Sequence, residues 1–135
     1  LTIAETGHLV FATLHTNSAS QSIDRIIDVF PEQQQAQVRL QLSNVIEAVF
    51  SERLLKKTTG GRIPAYEVLT ASNAIRTLIR EGKTHQIDNV IQTSAELGMV
   101  SLDASLASLV KTGKISQEVA VKYSLKPETL IKMLQ

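Results

Sequence analysis

Glu5–Ala19, ETGHLVFATLHTNSA, is the stretch on which the reading turns. Its centre, Leu9–Leu14 (LVFATL), is a continuous apolar run held between Gly7 and the polar His15-Thr16-Asn17-Ser18. A run this short, with turn signals on both sides, predicts a strand buried on both faces, as in parallel sheets covered by helices. Ser18 then caps a helix from Ala19 to about Phe30, with Gln21 three residues on as a capping-box partner. Open parallel sheets bind ligands beyond the carboxyl ends of their strands, which puts His15 and Thr16 at the ligand end and His8 at the other. At about 3.3 Å per residue the strand holds the two histidines about 23 Å apart, and their odd spacing sends them to opposite faces. His15 can donate a hydrogen bond to a bound anion, with Thr13 and Thr16 positioning a water or a phosphate oxygen. A histidine that merely hydrogen-bonds backbone at a strand end fits the same residues, and the local pattern leaves both readings open.

Downstream, Val38, Leu42, Val45, Ile46 and Val49 recur at three- and four-residue steps among glutamines, which predicts a helix over 32–50. Ser51–Lys57 and Arg62–Leu69 flank Thr58-Thr59-Gly60-Gly61 and predict a β-hairpin. Beyond Ser72 the chain predicts short helices with stops at Gly82, Gly98 and Gly113 and starts at Ser116 and Pro127, forming a small helical bundle. The division expected is 1–71, a sheet-bearing part, and 72–135, a helical region.

The bulk numbers bound the function. In 135 residues, 43% apolar and 20% charged, one ordinary domain or two small ones can share a core. Fourteen Lys and Arg against thirteen Asp and Glu, interspersed, form no basic stripe, which argues against nucleic acid as a partner. The absence of Cys removes disulfides and thiolate metal sites, and no cluster at metal-ligand spacing is seen. No apolar run reaches the ~20 residues that cross a bilayer, so direct membrane insertion is not expected.

Glu5–Pro31, ETGHLVFATLHTNSASQSIDRIIDVFP, resembles the His box and following helix of the secretion-type hexameric ATPases. The likeness continues through Gly60-Gly61-Arg62 and Glu67-Val68-Leu69 to Ala74–Glu81, AIRTLIRE. That octet is similar to the AIRNLIRE motif of the members that retract type IV pili, with Thr77 in place of Asn. Two long motifs in the right order are far more specific than a lone glycine pattern. The resemblance implies an α/β fold: part of a RecA-like P-loop ATPase core with a parallel strand, helices and a hairpin, followed by an α-helical C-terminal bundle. It implies the C-terminal part of a cytoplasmic motor, peripheral at the inner-membrane face, that hydrolyses ATP with Mg²⁺, works as a homo-hexamer and acts on an inner-membrane pilus platform protein. By the same match His15 senses the γ-phosphate or polarises the site, and His8 has a structural or interface role needed for turnover. The octet's Ala74, Ile75, Arg76, Leu78, Ile79, Arg80 and Glu81 are expected to couple ATP-driven movement to the pilus base or a neighbouring subunit. For Arg76 and Arg80 alone, a solvated helix face serves equally well.

Phosphoryl transfer needs a Gly-rich phosphate loop with its Lys, a hydroxyl on Mg²⁺ and a carboxylate that orients water. No GxxxxGKS/T occurs in the sequence, and in the family that loop and the Walker B strand lie ahead of the point matching Leu1. The fragment alone is therefore expected to bind no nucleotide tightly and to be inactive. The rivals are a pilus-assembly or type II secretion ATPase of the same superfamily, many of which carry a four-cysteine zinc motif, and a non-catalytic helical interaction module.

Overall fold

Local signals set most element boundaries in the computed structural model, which describes Leu1–Gln135. After a single helical turn, α1 (Thr2–Glu5), the chain forms no regular element until α2 (Ala19–Asp28). Ser18 caps α2 by accepting the Gln21 N–H at 3.2 Å, while Gln21 Oε1 reaches back to the Asn17 N–H at 3.2 Å, one residue ahead of the usual capping-box position. α3 (Glu32–Val45) follows Pro31 and stops five residues before the predicted end. Ile46 turns extended, and Val49 and Phe50 enter β1 (Ala48–Lys56) opposite Leu69 and Val68. The spacing of Val45, Ile46 and Val49 suits a helix, but two β-branched residues beside a waiting partner strand favour the ladder.

β1 pairs antiparallel with β2 (Arg62–Thr70), in register from Ala48↔Thr70 to Lys56↔Arg62. The turn between them needs Gly60 and Gly61, whose φ of +88° and +73° disfavour any side chain. Alternation gives the hairpin an inner face of Val49, Ser51, Arg53 and Leu55 opposite Ile63, Ala65, Glu67 and Leu69. Outside, Phe50 and Tyr66 stack with centroids 5.7 Å apart.

The helical half keeps the predicted stops at Gly82 and Gly113 and the starts at Ser116 and Pro127, whereas the helix expected to run up to Gly98 ends at Thr93 and leaves Leu97 exposed. Ser72, Ser101 and Ser116 cap α4 (Asn73–Arg80), α6 (Leu102–Lys111) and α7 (Gln117–Tyr123), and Pro127 opens α8 (Pro127–Leu134). α5 (Ile87–Thr93) lies between single 3-10 turns at Thr84–Gln86 and Ala95–Leu97. Two cores result. Ala19, Ile23 and Ile27 of α2, Val38 and Leu42 of α3, Leu69 of β2, Ile75 and Ile79 of α4, and Ile87 and Ile91 of α5 make the first. Leu55, Ala65, Leu102 and Leu106 of α6, Ile115, Ala120 and Leu130 make the second.

The mixed α/β character is as expected, but the predicted parallel strand at Leu9–Leu14 does not form. Residues 8–16 belong to no helix or strand, and Leu9 and Phe11 are 76% and 89% exposed. A strand holds only against a ladder partner, and the one sheet here is the two-stranded β1–β2 hairpin. The 23 Å separation and opposite facing of the two histidines, which presumed that strand, therefore do not describe this structure.

Candidate functional site

His8 and His15 end the unstructured segment on either side. The Thr6 hydroxyl donates to the Ile3 carbonyl at 2.8 Å and meets His8 Nδ1 at 3.0 Å. A hydroxyl has one proton, and with it directed to Ile3 the contact requires His8 to donate from Nδ1. His8 is thus tied to the turn of α1. His15 and Thr13 are open to solvent. Thr16 is half-buried, its Oγ1 lying 2.6 Å from Ser22 Oγ, which itself donates to the Ser18 carbonyl at 2.9 Å. Of the residues placed near a phosphate by sequence, His15 and Thr13 keep accessible polar groups, whereas Thr16 anchors its segment to the first turn of α2.

The turn after His15 is held from three sides. Arg53 of β1 donates from Nη2 to the Asn17 carbonyl at 2.9 Å, Ser20 donates to Asp88 Oδ1 at 3.1 Å, and the Ala19 N–H donates to Glu67 Oε1 at 2.7 Å. Glu67 is 4% exposed. Burial raises its pKa above 4.5, the Ala19 N–H opposes that rise, Asp88 adds to it, and the Leu102 N–H and Arg53 pull it down. Sequence reading missed both Glu67 and Arg53 as site residues. Their signal was the period-two pattern: each charged side chain occupies an inward register position of its strand, beside Ala65 and Leu69 or beside Leu55.

The octet divides by helix face. Ile75 and Ile79, four residues apart, are fully buried in the first core, and Leu78 packs against it. Ala74, Thr77, Arg80 and Glu81 are exposed. Arg76 is no free cation: Nη1 donates to the carbonyls of Ser43 at 2.7 Å and Asn44 at 2.9 Å, and Nη2 lies 3.5 Å from Glu47. It satisfies carbonyls that the end of α3 leaves open, where a cation also complements the helix dipole. Glu81 accepts from Lys83 Nζ at 2.8 Å, which lowers its pKa.

Residues 1–60 match the family described as Type II/IV secretion system protein. The type IV pilus retraction ATPase PilT of Pseudomonas aeruginosa is 51% identical over 128 residues, covering 95% of this chain and 37% of that protein. A twitching motility protein of Neisseria gonorrhoeae is 48% identical over 131 residues, covering 96% and 35%. Among solved structures, the pilus retraction motor PilT with bound ADP superposes with a TM-score of 0.83 at 45% identity, over 95% of this chain and 36% of that one. The chain thus spans little more than a third of the length of the relatives it matches. Over nearly its whole length, then, the chain is similar in sequence and in fold to the pilus-retraction ATPases, and its first sixty residues match the type II/IV secretion system family.

Proposed function

We propose that the chain is the C-terminal part of a hexameric, ATP-driven motor that retracts type IV pili and so powers twitching motility. The observation that carries this is near-half identity to a pilus retraction ATPase and to a twitching motility protein over at least 95% of the chain, His segment and octet together. In this reading the motor works at the cytoplasmic side of the inner membrane against a pilus platform protein. Residues 1–71 hold the part next to the nucleotide, and 72–135 the part that transmits force.

The residues present fit one edge of an ATP–Mg²⁺ site and not its phosphate cradle. His15 and Thr13 offer accessible groups, while Gly60 and Gly61 are spent in the hairpin turn and the sequence has no phosphate-loop Lys. When bound, the metal-nucleotide supplies the electrophilic phosphorus and its charge neutralisation. This chain contributes His15 as a hydrogen-bond donor toward the γ-phosphate. His8, fixed to Thr6, acts structurally. The exposed face of α4, with Ala74, Thr77 and Arg80, is the surface for force coupling.

His15→Ala in the intact protein tests this reading. Because the side chain is exposed, thermal stability should stay within about 0.5 kcal/mol, while ATP turnover falls by about tenfold or more, the weight of one lost transition-state hydrogen bond. Unchanged turnover removes His15 from the mechanism. The 135-residue chain by itself should show no motor-like hydrolysis, and rapid turnover by it would overturn the proposal.

A further inference from the structure

Glu67 stands at a joint. Along the inner face of β2, Leu69 on one side of it belongs to the first core and Ala65 on the other belongs to the second. Its carboxylate takes the Ala19 N–H at the start of α2, in the first core, and feels the Leu102 N–H at the start of α6, in the second. Next to it, the antiparallel bridge Val68↔Val100 fastens the segment entering α6 to the same strand, with bonds of 2.8 and 3.0 Å. Arg53 reaches Asn17 from β1, and its Nε is buried without a hydrogen-bond partner. A buried donor left unsatisfied is costly, and a buried carboxylate costs more. Both are tolerated here on the hairpin face that holds two of the residues following His15, Asn17 and Ala19.

We propose that Glu67, with Arg53 beside it, is a positioning residue that clamps the Asn17–Ser20 turn, and thereby His15, to the seam between the two cores. A displacement of α6 then reaches the His15 segment through one side chain. The clamp follows from the geometry alone, whereas its consequence for turnover rests on the nucleotide reading above.

Charge supplies a signature that mere space-filling lacks. Facing Glu67 are Asp88 of α5, Arg53 of β1, Asp103 of α6 and Lys126 ahead of α8; all but Arg53 border, with it, a space of about 10 Å³, room for one water. Asp103 is already engaged, accepting from Ser124. With its folded pKa raised above 4.5, Glu67 binds its proton more tightly in the fold than in the unfolded chain. Stability from this group is therefore full below 4.5 and is lost as pH rises through the raised value.

The test is NMR on the 135-residue chain, with activity measured separately in the intact protein. In wild type the Ala19 amide proton should titrate with a midpoint above 4.5, and in Glu67→Gln it should be flat in that range. In Glu67→Ala, amide exchange at Ala19 should rise about tenfold or more, and the backbone of His15 and Thr16 should become more mobile, while the core of α3 keeps its protection. Glu67→Gln, which keeps an acceptor for Ala19, should restore most of both. No Ala19 titration, or a Glu67→Ala chain with unaltered Ala19 exchange and His15 mobility, would overturn the clamp. Should Glu67→Ala fail to fold, the wild-type titration and a loosened Asn17–Ser20 turn in Arg53→Met decide the matter instead. If the clamp signatures hold while His15→Ala leaves turnover of the intact protein unchanged, the nucleotide reading falls and the clamp stands.

Discussion

Arg76→Ala and Arg80→Ala, two substitutions on one helix, should differ sharply in cost. Arg76 gives two charge-assisted hydrogen bonds to the end of α3, and its side chain is 23% exposed. Such bonds are worth about 1.5–3 kcal/mol each, and because water can replace part of them on the open side roughly half survives as net loss. The dipole at the α3 terminus adds about 0.5 kcal/mol. Glu47, at 76% exposed, adds nothing measurable. Arg76→Ala should therefore cost about 2–3.5 kcal/mol in all. At an unfolding entropy of about 2.1 cal/mol/K per residue, that lowers the melting temperature of a chain this size by about 7–12 °C. Arg80 is exposed, and Arg80→Ala should stay within about 0.5 kcal/mol. Arg76→Lys should fall between, since an ammonium cannot reproduce the guanidinium's planar fork. The assay is thermal unfolding by circular dichroism, with Glu47→Ala as control. If Arg76→Ala and Arg80→Ala melt within about 2 °C of each other, the capping role is wrong. If they separate, a functional loss in an Arg76 variant of the intact protein reports packing of α4 on α3, and Arg80 is the cleaner probe of the proposed coupling.

Phe11→Ser should change stability by less than about 0.5 kcal/mol, because the ring is 89% exposed; a core Phe would lose about 3–5 kcal/mol on truncation, so a denaturant-measured loss above about 2 kcal/mol would contradict the exposed placement. Glu81, whose folded pKa is lowered first by its Lys83 hydrogen bond, contributes stability that is present above 4.5 and fades as pH falls through the lower folded value. Lys83→Ala, or high salt, should move its carboxyl NMR midpoint up toward 4.5 with little change in melting temperature at neutral pH, and a midpoint that stays put would rule out Lys83 as the cause.

What was legible in the sequence was what short-range chemistry decides. Ser18 and Ser116 each cap the helix they were expected to start, because an N-cap bond joins residues three apart and needs no tertiary partner, and Ser72 and Ser101, not singled out in the sequence, cap theirs by the same local bond. The hairpin follows the same logic through Gly60 and Gly61. Leu9–Leu14 fails for the opposite reason: whether an apolar run becomes a strand depends on a neighbour that periodicity cannot supply. Ala48–Phe50 was lost to α3 because Leu69 and Val68, some twenty residues away, decide its conformation. At His8 and His15 the site reading rests on the resemblance, since the structure brings neither residue to a cleft or a polar cluster of its own. Arg76 looked like half of a solvated pair because only the folded chain brings the last carbonyls of α3 beneath it.

The distribution of the cores says how movement can pass through the chain. α2, which follows His15, and α4, which carries the octet, share one packed cluster through Ala19, Ile23, Ile27, Ile75 and Ile79. Arg76 locks α4 to α3 within the same unit. Close-packed interiors transmit displacement and do not absorb it, so a shift of the His15 segment along α2 is felt at α4 through α3, which packs against both. α6, α7 and α8 pack in the other cluster, and their ties to the first run along β2 through Ala65, Glu67, Leu69 and the Val68↔Val100 bridge. Apolar contacts along that strand can slide by small amounts at little cost. A buried charge-assisted bond at 2.7 Å resists sliding, because stretching it exchanges the Ala19 donor for at most the single water that the adjoining space can hold. That difference makes Glu67, with the Val68↔Val100 bridge beside it, stiffer than the surrounding hydrophobic surface against a change of angle between the two packed units.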